Sequence, residues 1–164
     1  MVDAILYRLA EELGQALTVR ELMLVTAESC TGGWIAETIT RVPGSSNWFE
    51  RGFVTYTYIS KREMLGVSGE TLDQYGAVSE QTVCEMVLGA LKNSHAQVAI
   101  AVSGVAGPDG GSEKKPVGTV CFAWAIKAGE LIAETKLFVG DRHAIRKKAV
   151  KHALKNALAM VLRT

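Results

Sequence analysis

The unbroken apolar run Val98-Ala99-Ile100-Ala101-Val102 is the feature that most constrains the fold of this chain. A strand without polar alternation must be covered on both faces, which is typical of the centre of a parallel or mixed sheet between helices. The run is followed by a glycine-rich segment over residues 103–111. We therefore expect a layered α/β fold with a long loop at the carboxyl end of a buried strand.

A second junction of the same kind lies earlier in the chain. The apolar segment over residues 22–26 is followed by Ala27-Glu28-Ser29-Cys30-Thr31-Gly32-Gly33, and residues 34–39 then have the pattern of a helix. Ligands of open α/β folds usually bind at the carboxyl edge of the sheet, where helix N-termini expose free backbone N–H groups. The sequence thus predicts a ligand site at this edge.

The remaining elements follow from hydrophobic periodicity and from turn residues. We expect a helix that Asp3 caps, a short helix at residues 61–65 that Ser60 caps, a long helix that Ser79 caps and a final helix that Asp141 caps. The predicted helices cover residues 3–19, 34–40, 61–65, 68–75, 80–93 and 142–162, and the predicted strands cover residues 22–26, 52–59, 98–102, 119–126 and 131–139. This order predicts a three-layer α/β/α sandwich on a mixed, mostly parallel sheet of about five strands.

Composition limits the size and the partners of the protein. The 164 residues, 48% hydrophobic and 21% charged, fit a single domain over residues 1–164, and a net charge of +1 gives no global field for nucleic acid. Cys30, Cys84 and Cys121 form no CxxC pair, which predicts reduced thiols and no metal site. Residues 1–4 lack the layout of a signal peptide and no apolar run is long enough for a membrane span, so we expect a cytoplasmic protein.

Ser29 is the first candidate for chemistry. It lies where Thr31, Gly32 and Gly33 can present N–H groups to a developing oxyanion, and a serine nucleophile needs such a site together with a base. Two other interpretations are open at this stage. Ser29 and Thr31 could simply cap the following helix, or the helix N-terminus could bind a phosphate without catalysis.

The basic residues offer few obvious bases. Lys61 could act as one if burial at the sheet edge holds it neutral, although a solvated surface lysine is the more common case. We expect His95, His143 and His152 to be solvated or capping residues. Most of the basic residues of the last helix are expected to face water. Arg142 differs, because it begins the helix and could point to an anion.

The glycine-rich segment Gly104-Val105-Ala106-Gly107-Pro108-Asp109-Gly110-Gly111 could form an anion-binding nest or a long flexible loop. It matches neither a Walker loop nor the GxGxxG fingerprint of dinucleotide-binding proteins. The segment alone therefore leaves both alternatives open.

Taken together, these motifs resemble those of the CinA carboxy-terminal domain family, the nicotinamide mononucleotide deamidases. The matching segments run in the family's order along nearly the whole chain: AESCTGG at 27–33, PGSS at 43–46, GFVTY at 52–56, GAVS at 76–79, SGVAGPDGG at 103–111, PVGTV at 116–120 and GDR at 140–142. The chain departs from the family at Tyr58, where the family commonly has a compact amide. If this position lines the pocket, the ring could narrow it, shift the substrate preference or abolish activity.

The resemblance implies hydrolysis of the carboxamide of nicotinamide mononucleotide to nicotinic acid mononucleotide and ammonia, without a metal or other cofactor. It implies Ser29 as the nucleophile, Lys61 as its base and Tyr56 as the hydroxyl that orients them, with N–H groups around Thr31, Gly32 and Gly33 holding the oxyanion. The implied binding residues for the nucleotide are Ser103, Gly104, Ala106, Gly107, Gly110, Gly111 and Arg142.

The resemblance also implies a homodimer that binds neither nucleic acid nor membrane. An alternative of a different class is a catalytically silent relative that binds a nucleotide or a protein partner through the same pocket.

Overall fold

The computed structural model describes residues 3–164, so Met1 and Val2, part of the segment considered for a signal peptide, lie outside it. The helices are α1 (Ala4–Val19), α2 (Trp34–Thr40), α3 (Tyr58–Leu65), α4 (Gly69–Tyr75), α5 (Glu80–Lys92) and α6 (Arg142–Leu162), with a 3₁₀ turn at Ser45–Asn47. The strands are β1 (Leu24–Glu28), β2 (Phe49–Val54), β3 (Val98–Gly104), β4 (Thr119–Ile126) and β5 (Leu131–Leu137).

The five strands form one mixed sheet in the order β2-β1-β3-β4-β5. Strand β1 is parallel to both β2 and β3, whereas β4 is antiparallel to β3 and to β5. The carboxyl ends of β1, β2 and β3 therefore meet at one edge of the sheet, and the predicted α/β sandwich is confirmed. The parallel part comprises these three strands, and the antiparallel part is the hairpin predicted from the short turn at residues 127–130.

Helices cover both faces of the sheet. Residues Val98, Ile100 and Val102 of β3 pack into the cluster that α1, α2 and α6 cover, while Ala99 and Ala101 pack into the cluster of α3, α4 and α5. All five of these side chains are fully buried. The unbroken apolar run is thus the central strand that the sequence predicted, since a strand with two covered faces has no position for a polar side chain.

The predicted strand at residues 52–59 is wrong at both ends. Strand β2 begins at Phe49 and ends at Val54, and α3 already begins at Tyr58. Thr57 and Ser60 form a capping box, because each side chain accepts the backbone N–H of the other residue. This box starts the helix despite the aromatic and β-branched residues around it, so Thr57 rather than Ser60 is the cap.

His152 also differs from the expectation that it is a solvated or capping residue. The ring lies within 6.0 Å, centroid to centroid, of Phe122, Trp124 and Phe138, and its Nε2 contacts the Glu134 carboxylate. The residue is therefore a packing group between α6 and the hairpin and is not solvated. None of the helices described within residues 3–164 combines the length and apolar character that a membrane crossing demands.

Candidate active site

Ser29 and Lys61 form a direct pair at the carboxyl edge of the sheet. The Lys61 Nζ lies 2.8 Å from the Ser29 Oγ and donates a second hydrogen bond to the Thr55 carbonyl at 2.7 Å. Ser29 follows β1 and Thr55 follows the adjacent parallel strand β2, so the sheet itself brings the two partners of the lysine together. The structure thus joins a hydroxyl and an amine that are 32 residues apart in the chain.

Local packing of α3 explains why Lys61 points inward. The capping box starts the helix at Tyr58, and Leu65, one turn after Lys61, is buried in the cluster of α4 and α5. Gly89 of α5 permits this approach, since a Cβ at that position would lie 1.8 Å from the Leu65 carbonyl oxygen. Lys61 is 1% exposed as a result.

Burial changes the chemistry of this lysine. Removal from water lowers the pKa of Lys61 from 10.5 to about 8, because desolvation penalises the charged ammonium form. In its neutral form the amine can still donate to the Thr55 carbonyl, and its lone pair is free to accept the Ser29 hydroxyl proton. The sequence could only propose a buried lysine, and the structure shows that it is buried.

Cys30 lines the same cavity as Ser29 and is the other potential nucleophile there. Burial raises the pKa of its thiol to about 12, with the Glu28 carboxylate as a further cause. A thiol is a weak nucleophile compared with its thiolate. Ser29, with a lysine at hydrogen-bond distance, is therefore the better nucleophile.

Glu28, the residue before Ser29, anchors the loop that carries the serine. Its carboxylate is 1% exposed and accepts hydrogen bonds from the Thr31 hydroxyl at 2.6 Å and from the Ile35 and Ala36 amides at 2.9 and 3.0 Å. Burial raises the pKa of Glu28, and these donors act in the opposite direction.

The N-terminus of α2 is satisfied from inside the protein. Gly33 is the N-cap of the helix and has no capping side chain, so the Glu28 carboxylate takes the place of a cap. The Ser29 hydroxyl contacts Lys61 and the Thr31 hydroxyl contacts Glu28. Neither residue performs the capping role that the sequence left open.

Arg146 of α6 holds the same loop from the opposite side. Its Nε donates to the Cys30 carbonyl and one terminal nitrogen donates to the Thr31 carbonyl, both at 3.0 Å. The guanidinium also lies 5.4 Å from the centre of the Trp34 ring. Arg146 is thus an exception to the expectation that most basic residues of the last helix face water, because its donors are directed to backbone carbonyls.

The amides of the predicted oxyanion site differ in their availability. The Gly32 amide donates to the Ser29 carbonyl at 3.0 Å, and the Gly33 amide is one of the donors that act on Glu28. Within residues 3–164, the Thr31 amide donates to no acceptor. Both glycines have positive φ angles, 60° and 99°, that side-chain-bearing residues rarely adopt, so they shape the turn behind Ser29.

A cavity of about 290 Å³ opens above the Ser29–Lys61 pair. The predicted binding residues Ser103, Gly104, Ala106, Gly107, Gly110 and Arg142 line it together with Ser29, Tyr56, Tyr58 and Lys61. Thr31, Gly32, Gly33 and Gly111 do not line it. Gly111 instead packs against the Val117 amide, which a Cβ at position 111 would approach to 2.8 Å.

Five further residues line the cavity, and the sequence suggested no individual role for them. They are Cys30, Ala77, Val78, Val105 and Asp109. Ala77 and Val78 belong to the GAVS segment that carried the resemblance, so that segment was the available signal. Tyr58 lines the cavity because it lies one helical turn before Lys61 on α3, and side chains three residues apart share one face of a helix.

Arg142 and Tyr56 form a pair at the rim of the cavity. The Arg142 guanidinium donates to the Gly107 carbonyl at 2.8 Å and to the Tyr56 hydroxyl at 3.0 Å. Tyr56 is 58% exposed, and its hydrogen bond joins it to the arginine rather than to Ser29 or Lys61. The predicted orienting role of Tyr56 in the catalytic pair stays a prediction.

Within residues 3–164, no cluster of three or more His, Cys, Asp or Glu side chains has an arrangement that could hold a metal ion. The chemistry visible at the site is that of a serine hydroxyl, a buried amine and backbone donors.

A serine hydroxyl that contacts a buried lysine of lowered pKa, with a free backbone amide two residues further on, defines the class of serine–lysine nucleophilic sites. Here the site lies at the carboxyl edge of the parallel strands of an α/β/α sandwich. The profile of the CinA C-terminal domain matches residues 6–161. The chain therefore belongs to the CinA C-terminal domain family, as the sequence motifs predicted.

Individual relatives agree with this membership. The chain is 56% identical over 154 residues to the nicotinamide-nucleotide amidohydrolase PncC of Escherichia coli (strain K12), covering 94% of this chain and 93% of that protein. It is 53% identical over 158 residues to the protein of the same name from Enterobacter agglomerans, covering 96% of both. The crystal structure of the competence/damage inducible protein CihA from Agrobacterium tumefaciens superposes with a TM-score of 0.94 at 44% identity over 97% of each chain.

Proposed function

We propose that this protein is an amidohydrolase that converts nicotinamide mononucleotide to nicotinic acid mononucleotide and ammonia. The observation that carries the proposal is the 2.8 Å contact between the Ser29 hydroxyl and the buried Lys61 amine. The substrate is inferred from the nicotinamide-nucleotide amidohydrolases that are more than half identical to this chain over nearly its full length.

The proposed reaction has two halves. In the first, the Ser29 oxygen forms a bond to the carboxamide carbon while its proton moves to neutral Lys61, and the carbonyl oxygen becomes an oxyanion. Collapse of this intermediate breaks the carbon–nitrogen bond, and ammonia leaves with the proton that Lys61 returns. A nicotinoyl ester on Ser29 is the product of this half.

The second half regenerates the enzyme. A water molecule attacks the ester carbon, Lys61 accepts its proton, and the carbon–oxygen bond to Ser29 breaks with return of a proton to the serine. The released product is a carboxylic acid that ionises in water. In both halves the oxyanion needs a donor, and the unpaired Thr31 amide is our first candidate, with Gly32 and Gly33 as the predicted neighbours.

Substrate binding is assigned to the other side of the cavity. We propose that Arg142 contacts the ribose phosphate, because its guanidinium lines the rim of the cavity, where the Gly107 carbonyl and the Tyr56 hydroxyl accept its hydrogen bonds and hold it in place. Ser103, Gly104, Ala106, Gly107 and Gly110 would approach the sugar and phosphate through backbone and small side chains. Gly111 would support this loop from behind.

We further propose that residues 1–164 act as one catalytic domain in the cytoplasm and form a homodimer. Strand β5 is at the edge of the sheet. Its last residue, Leu137, is 63% exposed, and Val139, two residues further on, is 78% exposed. An exposed edge with apolar side chains is suited to pairing with a second copy. Sedimentation analysis of the purified protein would measure the mass of the assembly.

The direct test is ammonia release from nicotinamide mononucleotide by the purified protein, with Ser29→Ala as the matched control. We expect turnover by the wild type and a loss of at least about 10⁴-fold in the variant, because Ser29 carries the one hydroxyl within residues 3–164 that is hydrogen-bonded to the Lys61 amine. The alternative of a silent binding protein predicts no ammonia but measurable affinity for the nucleotide by calorimetry. The same protein sample distinguishes these outcomes.

A further inference from the structure

Arg146 contacts the loop after Ser29 but has no role in the reaction steps proposed above. It belongs to α6, yet its guanidinium donates to two successive backbone carbonyls, those of Cys30 and Thr31, directly after the nucleophile. The Trp34 ring lies against the guanidinium, which is only partly exposed. These three contacts fix the arginine in one orientation.

The hydrogen bond to the Cys30 carbonyl has a consequence for the next residue. The Cys30 carbonyl and the Thr31 N–H belong to one trans peptide unit, and in such a unit the two groups point in opposite directions. A donor that holds the carbonyl therefore also sets the direction of the N–H. Arg146 thus controls the Thr31 amide without contacting it.

The two faces of the sheet show where that amide points. Arg146 approaches from the α6 layer, whose residues Ile145 and Ala149 pack in the cluster shared with α1 and α2. Lys61 approaches from α3, whose Leu65 packs in the cluster on the opposite face. A carbonyl directed to Arg146 therefore leaves its amide directed away from α6, toward the face that α3 covers. Thr31 itself does not line the cavity, but Cys30, which shares this peptide unit, does.

Glu28 holds Thr31 from a second direction. The Thr31 hydroxyl donates to the Glu28 carboxylate at 2.6 Å while the Thr31 carbonyl accepts from Arg146. Both contacts are made by charged groups, which form stronger hydrogen bonds than neutral ones. Side chain and backbone of Thr31 are thereby fixed, and its amide alone remains without an acceptor within residues 3–164.

We propose that Arg146 is a positioning residue that aims the Thr31 amide at the oxyanion formed during attack by Ser29. The inference builds on the proposed function, since it names the group that orients the oxyanion donor. Its effect appears in the transition state, where negative charge develops on the carbonyl oxygen, and hardly in the ground state. Loss of Arg146 therefore reduces kcat more than it changes substrate affinity.

The first experiment compares Arg146→Met with Lys151→Met, which removes an exposed positive charge from the same helix. We expect Arg146→Met to lower kcat for nicotinamide mononucleotide by roughly 10- to 100-fold with KM within about threefold, since a misdirected donor costs somewhat less than a deleted one. Lys151→Met should match the wild type. Arg146→Lys, which keeps one donor, should lie between the wild type and Arg146→Met.

A purely structural role of Arg146 predicts that kcat and product affinity fall together. A positioning role predicts instead that free guanidinium at a low, non-denaturing concentration restores part of the kcat of Arg146→Ala. It also predicts that the affinity of this variant for nicotinic acid mononucleotide equals that of the wild type. Unchanged kcat in folded Arg146→Met would overturn the proposal. Parallel losses of kcat and product affinity, without rescue by guanidinium, would overturn it as well.

A second readout separates this inference from the choice of substrate. A fluorophosphonate forms a bond from the Ser29 oxygen to phosphorus, fluoride leaves and Lys61 accepts the serine proton. If the wild type releases no ammonia from nicotinamide mononucleotide, the proposed function fails, but slower labelling of Arg146→Met would still support the inference. Equal labelling rates would overturn it. If Arg146→Met does not fold, the labelling rate of Arg146→Lys decides in the same way.

Discussion

The loops after β1 and β3 leave the same edge of the sheet but are held in different ways. The loop after β1 is fixed by ionisable side chains. The Glu28 carboxylate accepts from the Thr31 hydroxyl, while Lys61 and Arg146 donate to the Ser29 hydroxyl and the Cys30 carbonyl. The loop after β3 is fixed mainly by its own backbone, through contacts such as Val105 to Thr119 and Gly118 to Val105. Residues 108–114 of that second loop are exposed.

The difference matches what each loop is proposed to do. Attack by a nucleophile needs its partners within a fraction of an ångström, which favours a loop locked by buried groups. Recognition of a sugar phosphate tolerates an exposed loop whose donors adjust to the ligand. We therefore expect substitutions around the first loop to act on kcat and substitutions around the second loop to act on KM.

After Ser29→Ala, the largest effect is expected from Lys61→Met. Loss of the base should lower kcat by about 10³-fold or more, because the Ser29 proton then has no acceptor at hydrogen-bond distance. Lys92→Met, at the exposed end of α5, is the control for loss of a lysine elsewhere. Turnover within about tenfold of the wild type would remove Lys61 from the role of base.

The same variant should gain stability. Burial lowers the pKa of Lys61 to about 8, so between that value and 10.5 the unfolded chain binds more protons than the folded protein. The unfolding free energy of the wild type therefore rises with pH across this window. Below the window Lys61 is charged in the folded protein, and its burial then destabilises the fold by the full amount. We expect Lys61→Met to be more stable by roughly 1–2 kcal/mol near neutral pH, with the gain declining above pH 8, as denaturant titrations would measure.

Glu28→Gln tests the anchor of the first loop. A glutamine keeps the shape but presents an amide group to the Ile35 and Ala36 N–H donors, so at least one buried donor loses its acceptor. We expect a loss of about 2 kcal/mol in unfolding free energy and a fall in kcat of at least roughly tenfold. Glu37→Gln, on the exposed side of α2, is the matched control. Wild-type kcat and stability would contradict the anchoring role.

Arg142→Gln tests the second loop. Loss of the proposed charge-assisted contact to the phosphate should raise KM for nicotinamide mononucleotide about tenfold with little change in kcat. Nicotinamide riboside, which has no phosphate, should show no difference between wild type and variant. A fall in kcat with both substrates would place Arg142 in the chemistry rather than in binding.

Tyr58→Asn should have the smallest effect. The ring is 48% exposed and lines the cavity one turn before Lys61, so a smaller side chain widens the entrance without touching the catalytic pair. We expect kcat/KM to rise by less than about threefold. An unchanged value would show that the ring does not restrict access, and Tyr75→Asn, outside the lining, serves as the control.

The fold was predictable because its determinants are local. Apolar periodicity and capping residues predicted the helices, and the apolar run at residues 98–102 predicted the central strand. The segment from Tyr56 to Ile59 was misassigned because its β-branched and aromatic residues favour a strand, while the Thr57–Ser60 box that starts α3 depends on only two hydroxyls.

The site was predictable only in part. Ser29 follows from the strand-to-helix junction. The position of Lys61 between a predicted strand and a helix suggested burial at the sheet edge, but its role as the base of Ser29 came from the family resemblance. Arg146 could not be found from the sequence, since it contacts a carbonyl 116 residues away and looks like any other basic residue of an amphipathic helix. Glu28 was likewise missed, because its helix-capping role appears only once the loop is folded.

The pH dependence of kcat/KM for ammonia release from nicotinamide mononucleotide tests the Ser29–Lys61 mechanism most directly. Because burial lowers the pKa of Lys61 to about 8, we expect kcat/KM to rise about tenfold per pH unit below that value and to level off above it. Ser29→Ala should release no ammonia at any pH. A flat profile from about pH 6 to about pH 9, or persistent turnover by Ser29→Ala, would contradict the mechanism.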